Sequence, residues 1–259
     1  MIIFNSLLIG LIAGFLSGQF GIGGGLITTP AIRLILGQSA LIAVGTPLPV
    51  IIPTAISGFY NYHQNKLVDY KSGLIIGLAG ALFSVLGARL TIIIGGRIIL
   101  IITAILITLV SLRYLRPNSR RRVRGTRPTS ILTTSTRYPL PSTLILIGIT
   151  AGFMSGFLGL GGGFVIIPAL TILFGKDIKE AFGTSLLAII FIAIPGSITH
   201  LFLGNINLSI AFFITLGVIP GAYFGSKLTV SLPSKLVNIM FGSFLIITAV
   251  FLLMNEVFM

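Results

Sequence analysis

The sequence predicts an all-α integral membrane protein of about eight transmembrane helices. They form two homologous four-helix repeats, each with a glycine-broken segment and a short half-helix. Three observations lead there. The 259 residues are 55% hydrophobic and only 8% charged, with a mean hydropathy of +1.11, whereas a soluble domain carries roughly 25% charged residues. Apolar stretches of about 20 residues, the length needed to cross a bilayer, recur along the chain. Residues 14–32, GFLSGQFGIGGGLITTPAI, return at 152–170 as GFMSGFLGLGGGFVIIPAL, with ten of nineteen positions identical at an offset of 138.

The first candidate span covers residues 2–20. It carries no Lys or Arg before the glycine motif, so it lacks the positive start of a signal peptide and is expected to be retained. A short apolar segment follows at 26–36, then spans at 40–62, 72–91 and 97–115. The second half repeats the order, with spans at 141–158, 178–202, 208–228 and 235–255 and a short segment at 164–174. Asp69 and Asn207 are predicted N-caps of the helices after them. Asp177 caps the helix at 178, with Glu180 at the third position suggesting a capping box. Pro30 and Pro168 are expected in the first turn of the short helices, where a missing N–H costs little. The organisation is therefore an N-terminal repeat (1–115), a basic linker (116–138) and a C-terminal repeat (139–259).

The duplication extends well past the glycines. Gly37 matches Gly175, Gly45-Thr46 matches Gly183-Thr184, Val68-Asp69 matches Ile206-Asn207, and Gly87 matches Gly225, all at 138. Arg89 and Arg97 fall opposite Lys227 and Lys235, while His63 and His200 align only across a one-residue gap. With four crossings in each half the repeats are parallel, and both termini share the linker's side. An odd number of crossings would make them inverted. Hydropathy does not decide the parity, and four plus four is the expectation.

Charge excludes the reading that a net +13 first suggests. Eight of the 17 Lys and Arg lie between Arg113 and Arg137, with no folded basic domain around them, so nucleic-acid binding is not expected. A cytoplasmic loop obeying the positive-inside rule explains the cluster, and anionic lipids are its expected partners. This places a multi-pass chain in the cytoplasmic membrane. The absence of cysteine, with only two His and four acidic residues, leaves no thiolate site and little for a metal, so neither metal nor cofactor is expected. No nucleophile–base pair suggests an enzyme. Homo-oligomerisation is compatible with all of this.

The paired Gly-x-Gly-Gly-Gly segments followed by proline, the Gly-Thr pair opening the next helix, and the later His then Asp or Asn resemble the TauE/SafE sulfite-exporter family. That group is also called the four-toluene-sulfonate uptake permease family. The resemblance covers nearly the whole chain and implies transport of small, often sulfur-containing oxyanions or organosulfonates, coupled to an ion gradient. One departure from internal symmetry is Pro47, which follows Gly45-Thr46 where Ser185 follows Gly183-Thr184.

The candidate site follows from the glycines. Gly21, Gly23, Gly24 and Gly25, with Gly159, Gly161, Gly162 and Gly163, leave amide N–H groups unshielded just before a short helix. There the positive dipole end favours an anion. Close helix packing is the competing explanation, and it fits Gly14/Gly18 and Gly152/Gly156 best. Thr46, Thr184 and Ser185 are candidate hydroxyl donors, the threonines alternatively bonding the carbonyl four residues back. Ser17 and Ser155 read as packing residues. His63 and His200 are candidates for coupling or gating, as are Gln19, whose counterpart is Phe157, and Arg33, whose counterpart is Thr171. The functional expectation is a secondary transporter for a small anion, with a passive channel or a membrane anchor subunit as alternatives.

Overall fold

The computed structural model describes residues 2–115 and 140–258, so the predicted linker lies outside the described residues. In order, the helices are α1 (Ile2–Phe20), α2 (Gly25–Leu34), α3 (Ala40–Gly45), α4 (Pro47–Gln64), α5 (Tyr70–Ile94) and α6 (Gly96–Leu115). The second half supplies α7 (Pro141–Leu158), α8 (Gly163–Pro168), a π-helical turn (Ala169–Leu173), α9 (Ile178–Phe202), α10 (Leu208–Ser231) and α11 (Ser234–Phe258). Among the described residues there are no strands. Six helical segments are long and apolar enough to span a membrane: α1, α3–α4 together, α5, α7, α9 and α10. The apolar stretches in α6 and α11 are shorter, Ile98–Leu109 and Ser234–Thr248.

Local chemistry sets the boundaries. Asp69 and Asn207 accept from the backbone N–H of Ser72 and Ile210, each at 3.1 Å, and so cap α5 and α10. Asp177 accepts from Lys179 N–H at 2.9 Å, but the expected capping box does not close, because Glu180 pairs with Lys176 instead. The single span predicted at 40–62 is broken at Thr46-Pro47 into α3 and α4, since proline removes a ladder donor. Its counterpart α9, with Ser185 at the matching place, runs unbroken. Pro30 and Pro168 are not in the first turn. The short helices begin at the last glycine of each run, which puts both prolines at the sixth residue. Pro168 ends α8, and the ladder widens into the π turn beyond it.

Stripes of small residues fix helix polarity. Gly10, Gly14 and Gly18 of α1 abut Ile214, Val218 and Ala222 of α10, so these helices run in the same direction. Gly148, Gly152 and Gly156 of α7 abut Ile76, Gly80 and Ser84 of α5 in the same way. Ser57 and Asn61 of α4 donate to the carbonyls of Ile219 and Tyr223 at 2.7 and 2.9 Å, aligning α4 with α10. Gly73, Gly77 and Gly80 follow Leu187, Ala188 and Ile192, aligning α5 with α9. Between the two sets the sense reverses, for Gly58 meets Leu186 while Gly196 meets Leu48.

The consequence corrects the parallel expectation. Helices α1, α4 and α10 point one way, and α5, α7 and α9 point the other, so matching helices of the two repeats are antiparallel. The repeats are inverted, and each repeat's first helix packs on a helix of the other. Helix α1 runs alongside α10 as far as that helix's last turn, where Thr229 Oγ1 donates to the carbonyl of Gln19 at 2.9 Å. It hands over to α2, which returns toward the side where α1 began, and α7 with α8 mirrors this. The end of α6 and the start of α7 therefore lie on the face opposite the start of α1; we call it the linker face. The packing reading of Gly14, Gly18, Gly152 and Gly156 agrees with these contacts.

Candidate functional site: two crossed glycine loops

The handovers from α1 to α2 and from α7 to α8 meet inside the protein. Residues 21–25 and 159–163 are all buried. Gly25 lies against the carbonyl of Gly159 and the backbone of Leu160, and Gly163 lies against Ile22. The loops run past each other in opposite directions. Glycine is required here because Gly21, Gly23, Gly24, Gly159, Gly161 and Gly162 all have φ between 65° and 96°. Gly24 and Gly162 are the N-caps of α2 and α8. Their carbonyls accept the first bonds of those helices, from Ile27 and Thr28 at 3.0 Å and from Val165 and Ile166 at 3.0 and 3.2 Å. Among the described residues, the N–H groups of Gly23, Gly24, Gly25 and Leu26 have no acceptor, and the same holds for Gly161, Gly162, Gly163 and Phe164. Donors concentrated at helix N-termini form a positive, uncharged lining.

Breaking α1 and α7 also frees carbonyls at their C-terminal ends, and these are satisfied by a matched pair of side chains. Tyr62 Oη donates to the carbonyls of Gly18 and Gln19, both at 3.1 Å. His200 Nε2 donates to the carbonyl of Gly156 at 2.8 Å. Tyr62 is 138 positions before His200, and Gly18 is 138 before Gly156. The alignment of His63 with His200 is thereby corrected: the structural counterpart of His200 is Tyr62. Asn205 Nδ2 approaches His200 Nδ1 at 3.4 Å, which leaves Nε2 as the ring atom carrying the proton. His63 is exposed, bonded through Nδ1 to the Tyr70 hydroxyl and stacked on Phe59 at 5.7 Å.

The predicted hydroxyls are all buried, and the two threonines have distinct partners. Thr184 Oγ1 accepts from the backbone N–H of Asp69 at 2.9 Å, and Thr46 Oγ1 accepts from that of Asn207 at 3.0 Å. Each threonine therefore ties its helix to the N-cap residue of the other repeat, rather than bonding four residues back. Ser185, Ser17 and Ser155 are completely buried, with no partner for Oγ. Gln19 is buried and its amide reaches Met240 Sδ at 3.9 Å. Arg33 is exposed at the C-terminal turn of α2, donating to the carbonyl of Gln38 at 2.8 Å, where the dipole's negative end suits a cation. Thus the glycine loops meet, with Ser17 beside Gly24, while His63 and Arg33 stand outside that centre.

Sequence reasoning missed the ion pairs at the linker face. Lys176 Nζ bonds Asp69 Oδ2 at 2.7 Å and Glu180 Oε1 at 2.5 Å. Burial raises the Asp69 carboxyl, but hydrogen bonds from Lys176 and Ser72 outweigh it and hold the group below its ordinary value. For Lys176, burial acts to lower the ammonium, yet the two carboxylates win and hold it above the ordinary lysine value. The exact 138-residue match of Tyr62 to His200 was the signal available for the carbonyl pair. A groove of about 290 Å³ between α1, α2 and α11 is lined almost wholly by apolar residues such as Leu26, Pro30 and Phe244, which suits a lipid chain and not an anion. Among the described residues no cluster could hold a metal ion.

Comparison with known proteins identifies the family. The family model described as "Sulfite exporter TauE/SafE" matches residues 6–252. The probable membrane transporter protein YunE of Bacillus subtilis is 30% identical over 242 residues, covering 88% of this chain and 87% of its own. A probable membrane transporter protein of Methanocaldococcus jannaschii is 28% identical over 262 residues, covering 96% and 94%. YdhB of Bacillus subtilis, also a probable membrane transporter protein, is 30% identical over 233 residues, covering 90% and 91%. No solved structure matches the chain. With its duplicated, glycine-broken membrane helices, the chain is a multi-pass membrane protein, not an enzyme, and belongs to the TauE/SafE sulfite exporter family.

Proposed function

We propose that the protein is a secondary transporter that moves a small anion across the cytoplasmic membrane, its two inverted repeats opening alternately to either side. The substrate class is sulfite, an organosulfonate or a related sulfur oxyanion, with a small carboxylate as the nearest chemical neighbour. The observation that carries the reading is the meeting of two glycine loops, at half-helix N-termini, in the buried centre of an inverted repeat. Discontinuous helices in such repeats are where transporters hold their substrates. Backbone amides also avoid the cost of a mid-membrane arginine, at least about 2.5 kcal/mol. The family's name supports the choice of anion. In this reading α6 and α11 also cross the bilayer, completing eight helices around the loops.

Orientation follows from charge. Lys66, Lys71, Lys176, Lys179, Lys227 and Lys235 belong to the linker face, where α6 ends and α7 begins, against Arg33, Arg89 and Arg97 on the other, and the sequence 113–137 joining those two helices adds eight arginines. The positive-inside rule makes the linker face cytoplasmic and puts both chain ends outside, with anionic lipid headgroups as partners of the linker.

Counterflow in proteoliposomes tests the function. Unlabelled sulfite inside should accelerate entry of labelled sulfite, and Gly23→Ala or Gly161→Ala should abolish the effect. Flux without trans-stimulation would instead assign a passive channel. Flux lost on deleting 118–136 but unchanged by both glycine variants would assign an anchoring role. In the same vesicles, Ser119→Cys in this cysteine-free chain reports which side the linker occupies.

A further inference from the structure

The two glycine loops are not chemically equivalent, and the structure assigns the anion to one of them: a half-site made by the N-terminus of α2, Ser17 and Ser185. This rests on the transport reading above and narrows it to named donors. Helix α2 runs ten residues from Gly25, whereas α8 runs six before the π turn. Only the first loop therefore leads into an α-helix that stays regular for nearly three turns, because behind the second the ladder widens after six residues.

The serines supply the independent observation. Several other buried hydroxyls in this protein donate to the carbonyl four residues back, as membrane-helix hydroxyls ordinarily do. Thr54, Ser197 and Ser226 make that bond at 2.6, 2.7 and 2.8 Å. Ser17 and Ser185 make none, although both are 0% exposed. Ser17 is aimed at the loop, since its Oγ is among the atoms nearest the position of a Cβ on Gly24, at 3.7 Å. On α9, Phe182 touches Gly21 and Ile189 touches Gly23. The helical repeat puts Ser185 on that same face, between the two contacts.

The second loop lacks both features. Its matching position on α4 is Pro47, which has neither hydroxyl nor N–H to offer. The space beside Gly162 is taken, because a Cβ there would lie 2.8 Å from the carbonyl oxygen of Ala151, while at Gly24 the nearest atoms stand at 3.7 Å. Ser155 shares the missing partner with Ser17 but not the room or a second hydroxyl. Ser6, the remaining unpartnered serine, is about three turns away along α1. Four amides without an acceptor and two uncommitted hydroxyls on one side suit a compact oxyanion with several acceptor oxygens.

The test uses the full-length protein in detergent and measures thermal protection by sulfite, thiosulfate and acetate. Ser17→Ala and Ser185→Ala should each raise the concentration for half-maximal protection by sulfite about tenfold, as expected for a lost hydrogen bond to a charged group. Ser155→Ala should change it less than about twofold. Melting temperatures without anion should stay level in all three, because the alanines remove hydroxyls that have no partner. Ser17→Cys, close in size and a weak donor, should fall between wild type and alanine and guards against a packing effect. Equal weakening by Ser155→Ala would overturn the one-sided site, as would unaltered protection of Ser17→Ala and Ser185→Ala. If none of the anions protects the wild type, this inference falls together with the transport reading; if only the serine variants behave like wild type, it falls alone.

Discussion

At the linker face Lys176 bridges Asp69 and Glu180 at 2.7 and 2.5 Å; at the opposite face the residues 138 positions away, Gln38 and Asn207, meet at 3.5 Å. The surrounding frame is the same at both ends. Asp69 and Asn207 each cap a helix and each donate a backbone N–H to a threonine of the other repeat. Lys176 and Gln38 each donate their own N–H to the carbonyl six residues back, both at 3.2 Å. Ile42 stands in the place of Glu180. Geometry that is kept while the residues change is a property of the inverted fold. Chemistry that differs between matched places belongs to one face, and here it makes the closure of the linker face ionic and that of the other face neutral.

The strongest way to probe the shared part is to strike it equally in both repeats. A Cβ on Gly18 would lie 2.1 Å from the carbonyl oxygen of Ala222, and one on Gly156 would lie 1.9 Å from that of Ser84. Both contacts are with backbone, so neither helix pair can relieve them without separating. Gly18→Ala and Gly156→Ala should each destabilise by about 3 kcal/mol, the upper end of the usual overpacking range. Thermal unfolding of the purified variants, followed by fluorescence-detected size exclusion, measures this. Tolerance of one substitution with loss of the other would break the equivalence of the two crossings.

The ionic closure should yield a smaller effect with a distinctive pH dependence. Replacing Asp69 by Asn and Lys176 by Gln copies the neutral chemistry of the opposite face. With side chains 15–34% exposed, solvent screening limits the loss to about 1 kcal/mol. Asp69 titrates below its unfolded value, so its contribution is present above about pH 4 and is lost as pH falls through the depressed value. Lys176 titrates above its unfolded value, so its contribution is present below about pH 10 and is lost as pH rises through the raised value. The melting-temperature gap between wild type and the double variant should therefore be flat at neutral pH and shrink at both extremes. A gap that instead changes between pH 5 and 8 would point to a histidine and away from this pair. Lys176→Ala alone should cost more than the double variant, because it leaves two carboxylates facing each other.

Much of this was legible from residue order. Apolar length located the helices, the side-chain oxygens of Asp69, Asp177 and Asn207 located helix starts, and the doubled glycine motif located the loops that meet. Direction was not legible, because hydropathy measures how apolar a segment is and not which way it runs. The inversion emerges only from which glycine abuts which residue, as in Gly14 on Val218 and Gly152 on Gly80. Matching by residue type also misled at the ends of α4 and α9. Two histidines one position out of register look like a pair, but what the fold keeps is a donor to a stranded carbonyl. A tyrosine and a histidine serve that need equally well. Thr46 and Thr184 were found as a pair for the same reason, although their cross-repeat bonds could not be read from either half alone.

The smallest expected effects separate the true counterpart of His200 from the apparent one. Tyr62→Phe removes the donor to the carbonyls of Gly18 and Gln19, but the latter keeps Thr229 Oγ1 at 2.9 Å. The loss should thus be about 1 kcal/mol, the value of one buried neutral hydrogen bond. His200→Leu, which strands the carbonyl of Gly156, should cost about the same. His63→Gln alters an exposed side chain whose recorded partners, Tyr70 and Phe59, belong to its own repeat, and should stay within about 0.5 kcal/mol. Melting temperatures of the three variants, together with the pH profile of sulfite exchange, decide the matter. If His63→Gln moved that profile while Tyr62→Phe and His200→Leu left stability unchanged, correspondence by residue type would win over correspondence by geometry. The exposed histidine would then have to be reached by the coupling ion from the linker face, outside the two loops.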